Sequence, residues 1–190
     1  MSEKQRLNRK EIEELASNAL IASGALETSA KSLAKAVASA EMDGIKSHGL
    51  VYVPIYCEHL QCGKVVGSAV PRVERPAKGA VVVDACSGFA HPAIDAGFSE
   101  LVPAAKELGC AGMSIRNSYN CGVLGHHVER LAESGLVGIG FTNAPASIMP
   151  VVQQPGRARL RHVCLRSRRT AVWQGLDGVC RPYVLVSDAG

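Results

Sequence analysis

The residue types best suited to moving a proton sit side by side at Ser47 and His48, within Gly44-Ile45-Lys46-Ser47-His48-Gly49-Leu50-Val51-Tyr52-Val53-Pro54-Ile55-Tyr56. An imidazole titrates near neutral pH, so a histidine held at a break between two helical segments can give a proton to a reacting oxygen or nitrogen. The neighbouring Ser47 hydroxyl can hold the ring in one tautomer or touch a substrate. Gly49 lets a ligand come close to the backbone. The plain alternative is that Ser47 caps a helix and His48 lies on its first turn.

A second candidate is Asn117-Ser118-Tyr119-Asn120-Cys121-Gly122-Val123-Leu124-Gly125, which follows a strand-like segment and opens a helix. A helix start presents unpaired N–H groups and a partial positive charge, so it can hold a phosphate. Gly122-x-x-Gly125 lacks the first glycine of the dinucleotide fingerprint and the lysine of a nucleotide phosphate loop. A simple strand-to-helix connection is the competing reading. Cys121 has no sequence-adjacent base to activate it, which argues against a thiol enzyme. Asp95 and Glu100 read as solvated carboxylates. Thr142-Asn143-Ala144-Pro145 closes a strand, a position where α/β folds bind ligands.

These residues need elements to position them. Asn8 and Glu11 match a capping box, and Ile12, Leu15, Ala16, Ala19 and Leu20 recur at helical spacing as far as Gly24. A second helix runs from Thr28 to about Gly44, and a third from about Ser47 to Gln61, with Pro54 set to kink it or move its start. Residues 64–79 suit loops or short edge strands. Beyond them strands at 80–85, 111–116 and 136–142 alternate with helices at 94–108 and 126–134, closed by Gly109 and Gly135. That alternation predicts an α/β layer of at least three strands.

Composition narrows the class. Of 190 residues, 47% are hydrophobic and 20% charged, as in ordinary globular chains. There is no run of 18 apolar residues, and the polar start lacks the apolar core of a signal peptide, so a cytoplasmic protein without membrane contact is expected. The seven cysteines, with no Cys-x-x-Cys, read as buried thiols rather than a disulfide framework or zinc site. His126 and His127 are adjacent, so they diverge on a helix and are poorly placed to share a metal. The net charge of +4 is uneven. Residues 153–190 hold seven Arg and two Asp, while the rest of the chain is near neutral. A basic tail with two aromatics and no recognition motif argues against nucleic acid as a partner.

Taken in order, several segments resemble the malate/L-lactate dehydrogenase family. They are the helical start, Ser47-His48-Gly49-Leu50 with Pro54 and Tyr56, and Gly63-Lys64-Val65. Next come Ala90-His91-Pro92-Ala93, the turn at 117–125, and Glu133-Ser134-Gly135-Leu136-Val137 leading to Phe141-Thr142-Asn143. The resemblance implies an α/β protein: an N-terminal helical unit over 1–66, then a partial NAD(P)-binding layer of non-Rossmann type over 67–152. It implies a homodimeric dehydrogenase or reductase using NAD or NADP on a small 2-hydroxy or 2-oxo acid, or on a cyclic imino acid. Ser47 and His48 would be catalytic, Tyr52 and Tyr56 would line the substrate, and Asn120, Cys121, Gly122, Val123 and Leu124 would bind cofactor; no metal is implied. Two positions depart from the family pattern: Tyr52 stands where an arginine usually pairs with the substrate carboxylate, and Asn120 where histidine is frequent. After about residue 152 the resemblance stops. A truncated, frameshifted member with a disordered Arg-rich tail over 153–190 is the expectation. The alternative reading is an inactive remnant or a dimerising binding module.

Overall fold

The protein is described by a computed structural model covering residues 6–143, 160–167, 170–177 and 183–188. Its chain falls into two compact units, interleaved in sequence: residues 1–71, 85–95 and 117–123 form the first, and 72–84, 96–116 and 124–190 the second. The expected split at residues 66 and 67 therefore misses two later segments that return to the helical unit.

The first unit is built on α1 (Arg9–Ala22), α2 (Glu27–Met42) and α3 (Val53–Gln61). Asn8 and Glu11 cap α1 reciprocally, Asn8 Oδ1 accepting from the Glu11 N–H at 3.1 Å and Glu11 Oε2 from the Asn8 N–H at 2.7 Å. The apolar stripes meet in a core of Ile12, Ala16, Leu20, Leu33, Val37, Tyr56, Leu60, Val65 and Phe89. Each fully buried Leu or Val there contributes about 1.5–3 kcal/mol. The expected single helix from Ser47 is instead two short 3₁₀ turns, Lys46–His48 and Leu50–Tyr52, before α3. Pro54 accounts for this: it falls in the first turn of α3, where its missing N–H breaks no helical bond.

The second unit holds a seven-stranded sheet ordered β1-β2-β3-β7-β4-β5-β6. Its strands are β1 (Arg72–Ala77), β2 (Ala80–Asp84), β3 (Cys110–Arg116), β4 (Leu136–Asn143), β5 (Leu160–Ser167), β6 (Thr170–Asp177) and β7 (Tyr183–Asp188). β1 is an exposed edge, as expected, and its charged side chains discourage further pairing. Arg116 bridges Asp84 at 3.1 Å and Glu74 at 3.3 Å across three strands. β2 and β3 pair in parallel, while β7 lies between β3 and β4, antiparallel to both. Helix α4 (Ala90–Leu108) starts earlier than Ile94 because Pro92 is accepted in its first turn. Its Gly97 lets it lie close on the sheet, since a Cβ there would stand 2.2 Å from Met113 Sδ. Helix α5 (Leu124–Glu133) packs on β4, with Gly140 under Leu124 and Val128.

The tail departs from its expected disorder, because three of its segments run as strands. The arginines concealed a second pattern: β-branched and large apolar residues at Val163, Leu165, Val172, Val184, Leu185 and Val186 favour extended chain. No described helix is long and apolar enough to cross a membrane.

Candidate active site

The Ser47–His48 segment is shaped by a glutamate eight residues upstream of Gly49. Glu41, in the last turn of α2, accepts the Leu50 N–H on Oε1 at 2.7 Å. Its side chain fills the space beside Gly49, where a Cβ would lie 2.2 Å from Oε1 and 2.8 Å from Cγ. The expectation that Gly49 admits a ligand is thus corrected: Glu41 takes that space. Backbone bonds from Gly49 N–H to the Lys46 carbonyl and from Tyr52 N–H to the Gly49 carbonyl close the two 3₁₀ turns.

Within this frame Ser47 caps no α-helix. Its Oγ lies 3.0 Å from His48 Nδ1, a hydrogen bond that orients the ring. Ser47 is exposed and His48 half-buried, so the imidazole is both held and reachable. The ring stacks on Tyr52, with centroids 6.2 Å apart and planes 11° from parallel. Tyr52 meets Tyr56 edge-on at 4.8 Å, and Tyr56 meets Phe89 at 5.8 Å and Tyr119 at 6.1 Å. Burial, then the neighbouring Tyr52 and Tyr119, push the Tyr56 phenol well above its ordinary range. It is a neutral wall of the cluster and a poor acid near neutrality.

The turn at 117–123 contributes differently than expected. Asn120 Oδ1 accepts the Gly122 N–H at 2.7 Å, so this donor is already engaged within the turn. Gly122 has φ +67°, favouring glycine, and a Cβ there would approach the buried His91 Nε2 at 3.3 Å. Asn120, Cys121, Gly122 and Val123 are half-buried in the first unit. Leu124 belongs to the second unit, where it is buried beside Val128 and heads α5. The first turn of that helix carries no acidic side chain, so no carboxylate there opposes an anionic phosphate.

Tyr119, His59, Lys64, Phe89 and Glu41 join the site from positions that no local motif marks. Tyr119 hydrogen-bonds to His59 Nδ1, and Lys64 Nζ lies 3.3 Å from His59 Nε2. Sixty residues separate His59 from Tyr119, so no local pattern could pair them. Asp95 is not merely solvated, because it accepts from Ser32 Oγ at 2.5 Å, and Glu100 pairs with Arg75 at 3.4 Å. Thr142 ends β4 half-buried, while Ala144 and Pro145 lie outside the described residues. Among the described residues no three His, Cys, Asp or Glu side chains are grouped to hold a metal. Cys57, Cys62, Cys86, Cys110 and Cys121 are free thiols, half-buried or exposed rather than buried as expected.

Comparison with known proteins bears on the arrangement. Residues 7–156 match the sequence profile of the malate/L-lactate dehydrogenase family. The chain is 44% identical over 142 residues to a (2R)-3-sulfolactate dehydrogenase (NADP(+)) of Chromohalobacter salexigens, covering 74% of this chain and 42% of that protein. It is 42% identical over 118 residues to a Delta(1)-pyrroline-2-carboxylate/Delta(1)-piperideine-2-carboxylate reductase of Pseudomonas syringae pv. tomato, covering 62% of this chain and 34% of the relative. The crystal structure of delta1-piperideine-2-carboxylate reductase from Pseudomonas syringae superposes with a TM-score of 0.77 at 33% identity, over 91% of this chain and 53% of that one. A malate dehydrogenase of Pyrococcus horikoshii shares the fold, with a TM-score of 0.76 at 22% identity over 93% of this chain and 53% of that chain. The chain therefore spans about half the length, or less, of the proteins it matches.

Proposed function

The chain belongs to the malate/L-lactate dehydrogenase family, and from that premise we propose that it serves as an NAD(P)-dependent oxidoreductase. It would act on a small 2-hydroxy or 2-oxo acid, or on a cyclic imino acid. The observation that carries this reading is the Ser47 Oγ–His48 Nδ1 bond of 3.0 Å on a reachable ring. A nicotinamide, when bound, supplies or accepts the hydride at the substrate carbon. His48, oriented through Nδ1, gives the matching proton from its other ring nitrogen to the carbonyl oxygen or imine nitrogen, and takes it back in the reverse direction. Tyr52 and Tyr56 form an aromatic wall beside that proton, with Tyr52 bearing a hydroxyl that can bond a substrate oxygen. The segment 120–124 is assigned to the cofactor, through backbone N–H groups of the turn other than that of Gly122, which Asn120 engages. The family resemblance supports a homodimer acting in the cytoplasm.

Fluorescence titration of the purified, folded chain with NADPH and NADH tests the reading, with His48→Ala in parallel. Saturable binding by both proteins, and reduction of Δ1-pyrroline-2-carboxylate or a 2-oxo acid by the wild type alone, is the expected result. A folded wild type that binds neither cofactor would overturn it.

A further inference from the structure

Two segments of the first unit meet at a junction that proton transfer at His48 does not use. The Ser87 N–H donates to the Asn117 carbonyl at 2.8 Å, and the Tyr119 N–H to the Gly88 carbonyl at 3.0 Å. Both bonds run from backbone to backbone, so they tie the two segments together whatever side chains stand there. The junction is also strained. Among the described residues, glycines aside, only Cys86, Ser87 and Asn117 have positive φ, at +51°, +61° and +52°. Asparagine tolerates this left-handed region, whereas cysteine and serine are disfavoured in it. Such outliers persist where the surroundings over-determine them, and they gather at ligand clamps. Four residues beyond Ser87 comes His91, a buried imidazole in the first turn of α4. The edge of its ring faces the turn at 117–123: a Cβ built on Gly122 would stand 3.3 Å from Nε2 and 3.6 Å from Cε1. Gly122 itself has φ +67°, and Asn120 Oδ1 accepts its N–H. The turn is thus tied to the backbone at its start and backed by an imidazole at Gly122.

We propose that His91 is a positioning residue for the cofactor: its ring backs Gly122 and, with the strained junction at 86–87 and 117, sets the turn before the dinucleotide arrives. This rests on the oxidoreductase reading above and names what arranges the segment assigned there to the cofactor. His91 acts through Gly122 and is not a catalytic residue. A flat ring edge against the Gly122 Cα leaves little room for a side chain at 122 and few ways for the turn to shift. A turn already in its bound form gives up little freedom on binding, so His91 raises affinity by preorganisation rather than by a contact of its own.

The test reads the turn and the cofactor separately. Amide hydrogen exchange at Gly122, followed by nitrogen-15 NMR, reports on the turn in the cofactor-free chain. Fluorescence titration gives the Kd for NADPH. Both are measured in the wild type, His91→Ala and His91→Gln, each checked for folding by circular dichroism. His91→Ala should speed exchange at Gly122 and weaken NADPH about tenfold or more. His91→Gln, of similar reach but without the flat ring, should do both to a smaller degree, and it carries the test if the alanine variant does not fold. A role in stability alone would lower the urea midpoint and leave the Kd of the folded variants unchanged. That result overturns the proposal and spares the oxidoreductase reading. Weakened NADPH with unchanged exchange at Gly122 makes His91 a direct contact of the cofactor and overturns the positioning role. A folded wild type that binds no NADPH, while His91→Ala still speeds exchange at Gly122, overturns the cofactor assignment of the turn, and the proposal falls together with the oxidoreductase reading.

Discussion

Two loops of the first unit looked equally chemical in sequence, and the structure ties them down by different groups: side chains from elsewhere in one, backbone bonds in the other. The segment at 45–52 is held from outside, by the Glu41 carboxylate on the Leu50 N–H and by Tyr52 stacked on His48. The turn at 117–123 is tied at its start by backbone bonds, from the Ser87 N–H to the Asn117 carbonyl and from the Tyr119 N–H to the Gly88 carbonyl, and closes further along by Asn120 on the Gly122 N–H. A loop clamped from outside can hold an arrangement of reactive groups because distant residues over-determine it. A turn tied through backbone groups is less sensitive to side-chain changes elsewhere. The lesson is that chemistry in the first loop depends on side chains elsewhere in the unit, whereas the second can carry a ligand on its backbone.

The sharpest break is His48→Ala. If the first loop carries the chemistry, turnover falls about 10²–10⁴-fold while cofactor affinity is retained, as read by initial rates beside a NADPH titration. Unchanged turnover would move the chemistry elsewhere. Next comes Gly49→Ala. The new methyl group meets the end of a flexible Glu41, which can leave only by giving up the Leu50 N–H. A loss of about 1–3 kcal/mol in urea unfolding follows from one charged hydrogen bond. A change within error would mean that the clamp is not what holds the loop.

A pH experiment separates the loops through Tyr119. Its pKa is raised from 10.0 to about 12, so the folded chain keeps this proton at pH values where the unfolded chain has lost it. The contribution is therefore fully present below pH 10 and is lost as pH rises toward about 12. Tyr119→Phe should flatten that part of the stability–pH curve, measured by the urea midpoint at intervals above pH 9. The smallest effect belongs to Asn120→Ala, which frees the Gly122 N–H and should cost about 1 kcal/mol, the net worth of one neutral hydrogen bond. A much larger loss would show that this one bond governs the whole turn.

Local chemistry made much of the fold legible. The Asn8–Glu11 capping box, the helix ends at Gly24, Gly109 and Gly135, and the strand at 80–84 follow from patterns a few residues long. Ser47 beside His48 was legible for the same reason. Glu41 was not, because a glutamate at the end of a helix resembles any solvated one until the chain turns back on it. His59, Tyr119 and Lys64 escaped because their contacts join segments far apart in sequence. The place of β7 between β3 and β4 is likewise non-local, since no pattern in residues 110–143 reveals that another strand will come between them.

The contact between Glu41 and Gly49 also constrains which sequences this loop can accept. Position 41 sets the alphabet at position 49: while a long acidic side chain occupies that space, only hydrogen fits opposite it. Shortening Glu41 removes both the clash and the bond, so Glu41→Ala should make Gly49→Ala nearly silent. The pair then behaves non-additively in a double-mutant cycle. In a diverging lineage the two positions would be free to change together and penalised for changing singly, a coupling between a helix end and a loop that neither residue discloses alone.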